Sequence, residues 1–344
     1  MKSYKKILVP TDFSDGAKTA YGIARQIAAK FGGKIDLMNV IPSVEYLKES
    51  LKKIPVAVEP DDDIIPDIVK QSESRLKKTL GEFDEKVRGK IHIGKNRKAA
   101  DSIIHYSKDH HYDLIVMGSK GENKTLMNRG SVTLRTLRNS SVPIIAVGEM
   151  TKPGDIKRVL LPTDSSQLSL SALPHAAALA HAFGAELALL YVIELRGGGG
   201  REEAEYDTAM IDRENIYEQL MEKIAFYLTN RDEKGIELKR SDKLFLDSLK
   251  TGDAESEKYI PLKTIIRTGH SVHYEIEKYA EKNADLVVMA THGYSGFAHL
   301  FLGSMTEKVV QNMSKPVMTT RPTDQEFEHA QKSSIGMVTI DPLP

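Results

Sequence analysis

The sequence predicts two tandem α/β domains, each doubly wound about a parallel sheet, and three observations carry this. The chain has 344 residues, too many for one typical domain and about right for two. A segment near its start returns in the second half: Lys6-Ile-Leu-Val-Pro-Thr-Asp12-Phe-Ser14 recurs as Arg158-Val-Leu-Leu-Pro-Thr-Asp164-Ser-Ser166. Short, wholly apolar strands alternate with helical stretches, the signature of βαβ units whose sheet is covered on both faces.

In each copy the apolar strand ends in Pro-Thr-Asp and leads into an alanine-rich amphipathic helix, Ala17 to Phe31 and Ser169 to Phe183. Glycine follows each helix, Gly32-Gly33 or Gly184, as a helix C-terminus favours. A second strand comes next, Lys34 to Ile41 and Glu186 to Ile193. The copies then diverge. The first has charged helical stretches at about Val44–Leu51 and Pro66–Val87, with the acidic turn Asp61-Asp62-Asp63 between them. The second has a glycine hinge, Gly197 to Gly200, then a helix predicted over about Arg201–Arg231. They converge again at Asp113-Leu-Ile-Val-Met117 and Asp285-Leu-Val-Val-Met289, and at the closing strands Ser141 to Val147 and Ser314 to Thr320. The expected domains are therefore 1–149 and 156–322, joined by Glu149 to Asp155 with its Pro153-Gly154. The second carries the larger insertion, 195–260, and a polar tail follows at 323–344.

The stretch Met289 to Ser304, MATHGYSGFAHLFLGS, concentrates the chemistry. A buried strand opens into a loop bearing Gly293 and Gly296, and Gly303-Ser304 stands at the start of a helical pattern, Met305 to Met313. Glycines let a backbone approach an anion, and a helix N-terminus offers unpaired N–H groups and a positive dipole end. The first half holds a near-copy, Gly118 to Ser131.

Composition bounds the function classes. Hydrophobic residues are 40% and charged residues 28%, ordinary for a globular protein. There is no cysteine, which removes disulfides, thiolate catalysis and cysteine zinc sites. No apolar run is long enough to span a bilayer, so no membrane is expected and the cytoplasm is the expected location. Net charge is zero, yet residues 1–150 carry 26 Lys and Arg against 19 Asp and Glu, and the remainder 22 against 29. Two oppositely charged halves can attract across an interface, or this is drift of surface charge. No basic tail or arginine-rich helix speaks for nucleic acid.

Together the strand–Pro-Thr-Asp–helix unit, Asp-Leu-(Ile/Val)-Val-Met, the glycine loop and the closing strand resemble the universal stress protein family, in tandem and over both halves. The resemblance implies two five-stranded parallel sheets with helices on both faces, Rossmann-like and similar to the adenine nucleotide alpha hydrolase fold. The family's ATP-binding members carry Gly-x2-Gly-x9-Gly-(Ser/Thr) after the fourth strand. The second domain keeps the spacing as Ala290-x2-Gly293, nine residues, then Gly303-Ser304, with alanine for the first glycine. The first domain keeps Gly118-x2-Gly121 but has eight residues before Gly130-Ser131. By the same resemblance the aspartate after the first strand and the end of the second strand face adenine. The implied site in the second domain is Pro162, Thr163, Asp164, Val192, Gly269, Ala290, His292, Gly293, Gly303 and Ser304. Its counterpart in the first is Thr11, Asp12, Val40, Gly118, Gly121, Gly130 and Ser131. The implied ligand is ATP with Mg²⁺, held mainly by the second domain, at the carboxyl ends of the strands where open α/β sheets bind ligands. Tandem copies also imply a pseudo-dimeric pairing within one chain. Whether two chains pair further, and which protein partner reads the site, stays open.

Blander readings stand beside these. Asp12 and Asp164 are good helix N-caps in their own right. Lys95, Arg97, Lys98, Lys120, Lys124 and Arg129 either hold a phosphate in the first domain or form a solvated basic rim. His270, His273, His292 and His299 fall on two loops expected to be neighbours, a pattern open to metal, phosphate or solvent. No Gly-x4-Gly-Lys-(Ser/Thr) loop, nucleophile elbow or water-orienting base is visible. Three functions follow in order: a stress-response ATP-binding module for signalling, a nucleotide-free scaffold working through domain pairing, and a slow ATP hydrolase or phosphotransferase.

Overall fold

The computed structural model describes residues 1–41, 64–96, 98–119, 131–148, 154–195, 212–230, 235–252, 256–291, 302–324 and 326–328. The stretch Val44–Leu51, expected to be helical, lies outside them. Contacts divide the chain into two compact units: Ser3–Asp155 with Val310–Met318, and Ile156–Val309 with Met1–Lys2 and Thr319–Pro344.

The first unit runs β1 (Lys6–Pro10), α1 (Asp15–Phe31), β2 (Lys34–Ile41), α2 (Ile64–Gly81), β3 (Arg88–Lys95), α3 (Ala99–Asp109), β4 (Leu114–Gly118), α4 (Ser131–Asn139) and β5 (Ile144–Val147). Its strand order is β3-β2-β1-β4-β5 and every pair is parallel. The order turns back between β1 and β4, so right-handed crossovers put α1 and α2 on one face and α3 and α4 on the other. The Arg135 guanidinium of α4 clamps Asp101 of α3 at 2.8 and 3.1 Å, as neighbours on one face can.

The second half of the chain repeats this with β6 (Arg158–Pro162), α5 (Gln167–Leu170), α6 (Leu173–Phe183), β7 (Glu186–Glu194), α7 (Arg213–Asn230), β8 (Ile236–Lys239), β9 (Leu246–Thr251), β10 (Lys258–Gly269), α8 (Val272–Asn283), β11 (Leu286–Ala290), α9 (Ser304–Asn312) and β12 (Val317–Thr320). Strands β11, β6, β7 and β10 are parallel neighbours, and the Thr291 N–H reaches the Thr320 carbonyl of β12 at 2.8 Å. Strands β9 and β8 extend the β10 edge in antiparallel fashion.

Two departures from the sequence reading have physical causes. The helix expected at Ser169–Phe183 is two helices, because Pro174 has no N–H to give a preceding turn and sits in the first turn of a new helix. The insertion contributes strands β8 and β9 as well as a helix. Strand β9 was hidden because its buried face includes a carboxylate. Asp247 is held there by the Tyr217 hydroxyl at 2.6 Å and the Ser241 N–H at 3.0 Å.

The first unit has a buried polar network at positions that are apolar in the second. Asp36 of β2 accepts from the Tyr112 hydroxyl at 2.6 Å and the Lys90 N–H at 2.6 Å. The His92 Nε2 lies 3.5 Å from the same carboxylate, and its Nδ1 is 2.6 Å from the Tyr106 hydroxyl. Strand register puts Ala188 and Ile265 where Asp36 and His92 stand, and Ala284 replaces Tyr112 before the shared Asp-Leu. Burial alone would raise the Asp36 carboxyl, but the hydrogen bonds from His92, Tyr112 and Lys90 outweigh it and hold the group below its ordinary value.

Candidate functional site

The Pro-Thr-Asp turns are built alike in both units. In the second, the Thr163 N–H continues the sheet by donating to the Leu190 carbonyl at 2.9 Å. Ser165 then takes a left-handed conformation, φ 62, which costs a non-glycine residue about 1 kcal/mol. Its N–H is held by the Thr163 hydroxyl at 3.0 Å, and the Ser166 N–H by Asp164 Oδ1 at 3.0 Å. The helix cap is Ser166, whose hydroxyl accepts from the Ser169 N–H at 3.1 Å. In the first unit Phe13 has φ 66, Thr11 and Asp12 make the equivalent bonds, and Ser14 caps α1. Capping, which the sequence had suggested for the aspartates, belongs to the serines two residues on. The aspartates use one oxygen to close the turn that precedes the cap.

At the end of β11 the chain is fixed to α9 by two bonds. The Thr306 hydroxyl donates to the Ala290 carbonyl at 2.9 Å, and the Gly303 N–H donates to the Thr291 carbonyl at 2.8 Å. Gly303 is the cap position, since its carbonyl accepts the first helical bond from Glu307 at 3.0 Å. The donors this helix start presents to an anion are therefore the first-turn N–H groups from Ser304 onward, not that of Gly303.

A cavity of about 340 Å³ opens where these parts meet, within the size range of small-molecule sites. Seven of the ten residues expected for the second domain line it: Pro162, Thr163, Asp164, Val192, Ala290, Gly303 and Ser304. Leu190 and Met289 add apolar surface from the strands, and Val272 and Ile276 add it from α8. Ser169, Thr291 and Thr306 add hydroxyls. Among the described lining residues Asp164 is the one formal charge, and none is Lys or Arg. The sequence reading missed Ser169, 2.8 Å from the Thr163 hydroxyl, and the apolar wall of α8. The signal for Ser169 was present as a contrast between copies, because Ala17 stands there in the first unit and Tyr21 takes the threonine hydroxyl at 2.6 Å.

Gly269 does not line the cavity. A side chain there would start 2.5 Å from Glu275 Cγ, and Glu275 is buried and bonded to Arg267 at 2.8 Å. Its bareness serves the seating of α8. Gly118 likewise has a packing role, since a Cβ on it would lie 2.1 Å from the Gly16 carbonyl of α1. Ala290 occupies the matching position, with a left-handed conformation neither required nor present.

His292 and Gly293 lie outside the described residues. In the first unit Thr11 and Asp12 sit on the turn, Val40 at the end of β2, and Ser131 opens α4, while Gly121 and Gly130 lie outside. Of the basic residues, Lys95 ends β3 and Lys98 precedes α3; Arg97, Lys120, Lys124 and Arg129 lie outside. His270 Nδ1 is 3.2 Å from the Leu195 carbonyl and His273 Nδ1 is 2.8 Å from the Ser271 hydroxyl; His299 lies outside. Among the described residues no group of three or more His, Asp or Glu could hold a metal, and no helix is long and apolar enough to cross a membrane.

Comparison with known proteins agrees with this architecture. The universal stress protein family model matches residues 3–148 and again 155–321. The chain is 28% identical over 171 residues to Universal stress protein MJ0531 of Methanocaldococcus jannaschii, covering 49% of this chain and 85% of that one. It is 27% identical over 164 residues to Universal stress protein YxiE of Bacillus subtilis, covering 48% and 98%. The crystal structure of a universal stress protein from Archaeoglobus fulgidus DSM 4304 superposes with a TM-score of 0.61 at 20% identity, covering 92% of this chain and 97% of that one. At that identity the likeness speaks for the fold.

Proposed function

The chain belongs to the universal stress protein family, as two tandem domains, and on that premise we propose that its second domain is an adenine-nucleotide site that holds ATP with Mg²⁺. Occupancy of the site would act as a signal read by a protein partner. The observation that carries the reading is the convergence of the Pro-Thr-Asp turn, the end of β7 and the start of α9 on one cavity. Each contributes what a nucleotide needs. Asp164 is a carboxylate able to accept from an exocyclic amine, and Leu190, Val192, Val272 and Ile276 give a base an apolar slot. The first turn of α9 offers N–H donors and a dipole end to phosphate. Because Asp164 is negative and none of the described lining residues is cationic, a divalent cation would offset the charge of a polyphosphate there.

For the first domain the reading is a structural one. Gly118 is used by the close approach of α1, and the Thr11 carbonyl accepts from the Asn39 side-chain amide at 2.7 Å, itself held by Ser72 at 2.8 Å. The proposal is of binding, not turnover. Calorimetric titration of the purified chain with ATP and Mg²⁺ tests it: one site per chain is expected, and no binding at millimolar ATP would remove it. Phosphate release above the background of Gly303→Val would instead favour a hydrolase.

A further inference from the structure

Met305 is the second residue of α9 and lines the cavity. Helical side chains lean toward the N-terminus of their own helix, so its thioether lies over the first turn, where the N–H groups have no acceptor inside the helix. Among the described methionines Met38, Met117, Met221, Met289, Met313 and Met318 are buried; only Met1 and Met305 are not. The first unit has Val132 at the matching place beside Ser131. The chain has no cysteine, so thioethers are the sulfur groups through which an oxidant acts on it.

We propose that Met305 is a peroxide-sensitive site that turns ligand binding off in the second domain, an inference that rests on the nucleotide reading above. The sulfur lone pair attacks one oxygen of hydrogen peroxide and the O–O bond breaks. An S–O bond forms, and hydroxide takes the proton from the transferred oxygen to leave as water. Sulfur is oxidised by two electrons and the peroxide is reduced by two. The product places a strong acceptor oxygen over the N–H groups at the start of α9. It takes the donors that a phosphate needs and sets a partial negative charge where an anion would sit. Methionine sulfoxide is returned to thioether by its reductases, which makes the change reversible.

The test uses the full chain under graded hydrogen peroxide, with peptide mass mapping of every methionine and calorimetric affinity for ATP with Mg²⁺. Met305 should convert ahead of the six buried methionines, with affinity falling at least tenfold in step with its conversion and recovering with sulfoxide reductase. The affinity of Met305→Leu, whatever its starting value, should not move under the same peroxide. Full conversion of Met305 with unchanged affinity would overturn the proposal, as would an equal peroxide loss in Met305→Leu or conversion no faster than the buried set. If the reduced chain binds no ATP, the nucleotide reading fails and takes the switch with it. The mass map would then still show whether Met305 is the reactive thioether.

Discussion

The Thr306 hydroxyl donates to the Ala290 carbonyl at 2.9 Å, and Thr133 makes the same bond to Gly118 at 2.9 Å in the first unit. The bond ties the last helix of each domain to the end of the strand before it. The two positions it joins therefore correspond, and the difference between glycine and alanine there has a local meaning. At Gly118 the α1 backbone presses on the strand, and Ala290 carries a methyl group at the matching position.

Gly118→Ala should accordingly destabilise the first unit. The added carbon would lie 2.1 Å from a backbone oxygen that no rotamer can move, and overpacking of this kind costs roughly 1–3 kcal/mol. Urea unfolding of the variant reads the loss. Ala290→Gly relieves no clash and should change stability by about 1 kcal/mol or less, mostly through chain entropy.

Acid should act on the first unit through Asp36. Its folded value lies below its unfolded one, so its contribution is complete above the unfolded pKa of about 4 and is lost as pH falls through the lower folded value. Asp36→Asn removes that dependence and leaves the Tyr112 hydroxyl with a weaker acceptor. Urea midpoints should show the variant less stable than the parent at pH 7 by roughly 1–3 kcal/mol, with the gap narrowing toward pH 3. A gap that widens in acid would mean the network does not hold the carboxylate charged.

The turn residues should separate stability from binding. Ser166→Ala and Ser14→Ala each remove a helix cap and should cost about 1 kcal/mol of stability. Ser166→Ala should keep the ligand response, because its hydroxyl serves the Ser169 N–H. Gly269→Val should weaken binding at a distance: it displaces Glu275 and with it the α8 turn that presents Val272 and Ile276 to the cavity. Calorimetry on both variants checks the split.

Much of this was legible in the sequence for reasons that the structure makes plain. The repeat from Lys6 to Ser14 and Arg158 to Ser166 is largely local: the threonine and aspartate of each turn close it by bonds to N–H groups two residues on, so short spacing encodes the turn. Cavity residues at strand ends were readable because they follow short apolar runs. Long-range features were not. The reasons for Gly118 and Gly269 lie in Gly16 and Glu275, and no local pattern distinguishes a glycine that clears a neighbour from one that admits a ligand. The Asp36 network was hidden for a like reason, since its members come from β2, β3, α3 and the turn before β4. Strand β9 escaped because Asp247 breaks its apolar face, and Tyr217, Ser241 and Arg240, distant in the local pattern, explain how a carboxylate is tolerated there.

The central claim is most directly met by thermal unfolding of the purified full chain with and without ATP and Mg²⁺, beside Asp164→Ala. A ligand at about 100 times its dissociation constant stabilises its site by about 2.7 kcal/mol, which for a domain of this size is an upward shift of roughly 5–10 °C. The account predicts that shift in the parent chain and its loss in Asp164→Ala, whose own unfolding should stay within a few degrees of the parent. No shift in the parent at millimolar ATP, or an equal shift in Asp164→Ala, would contradict it.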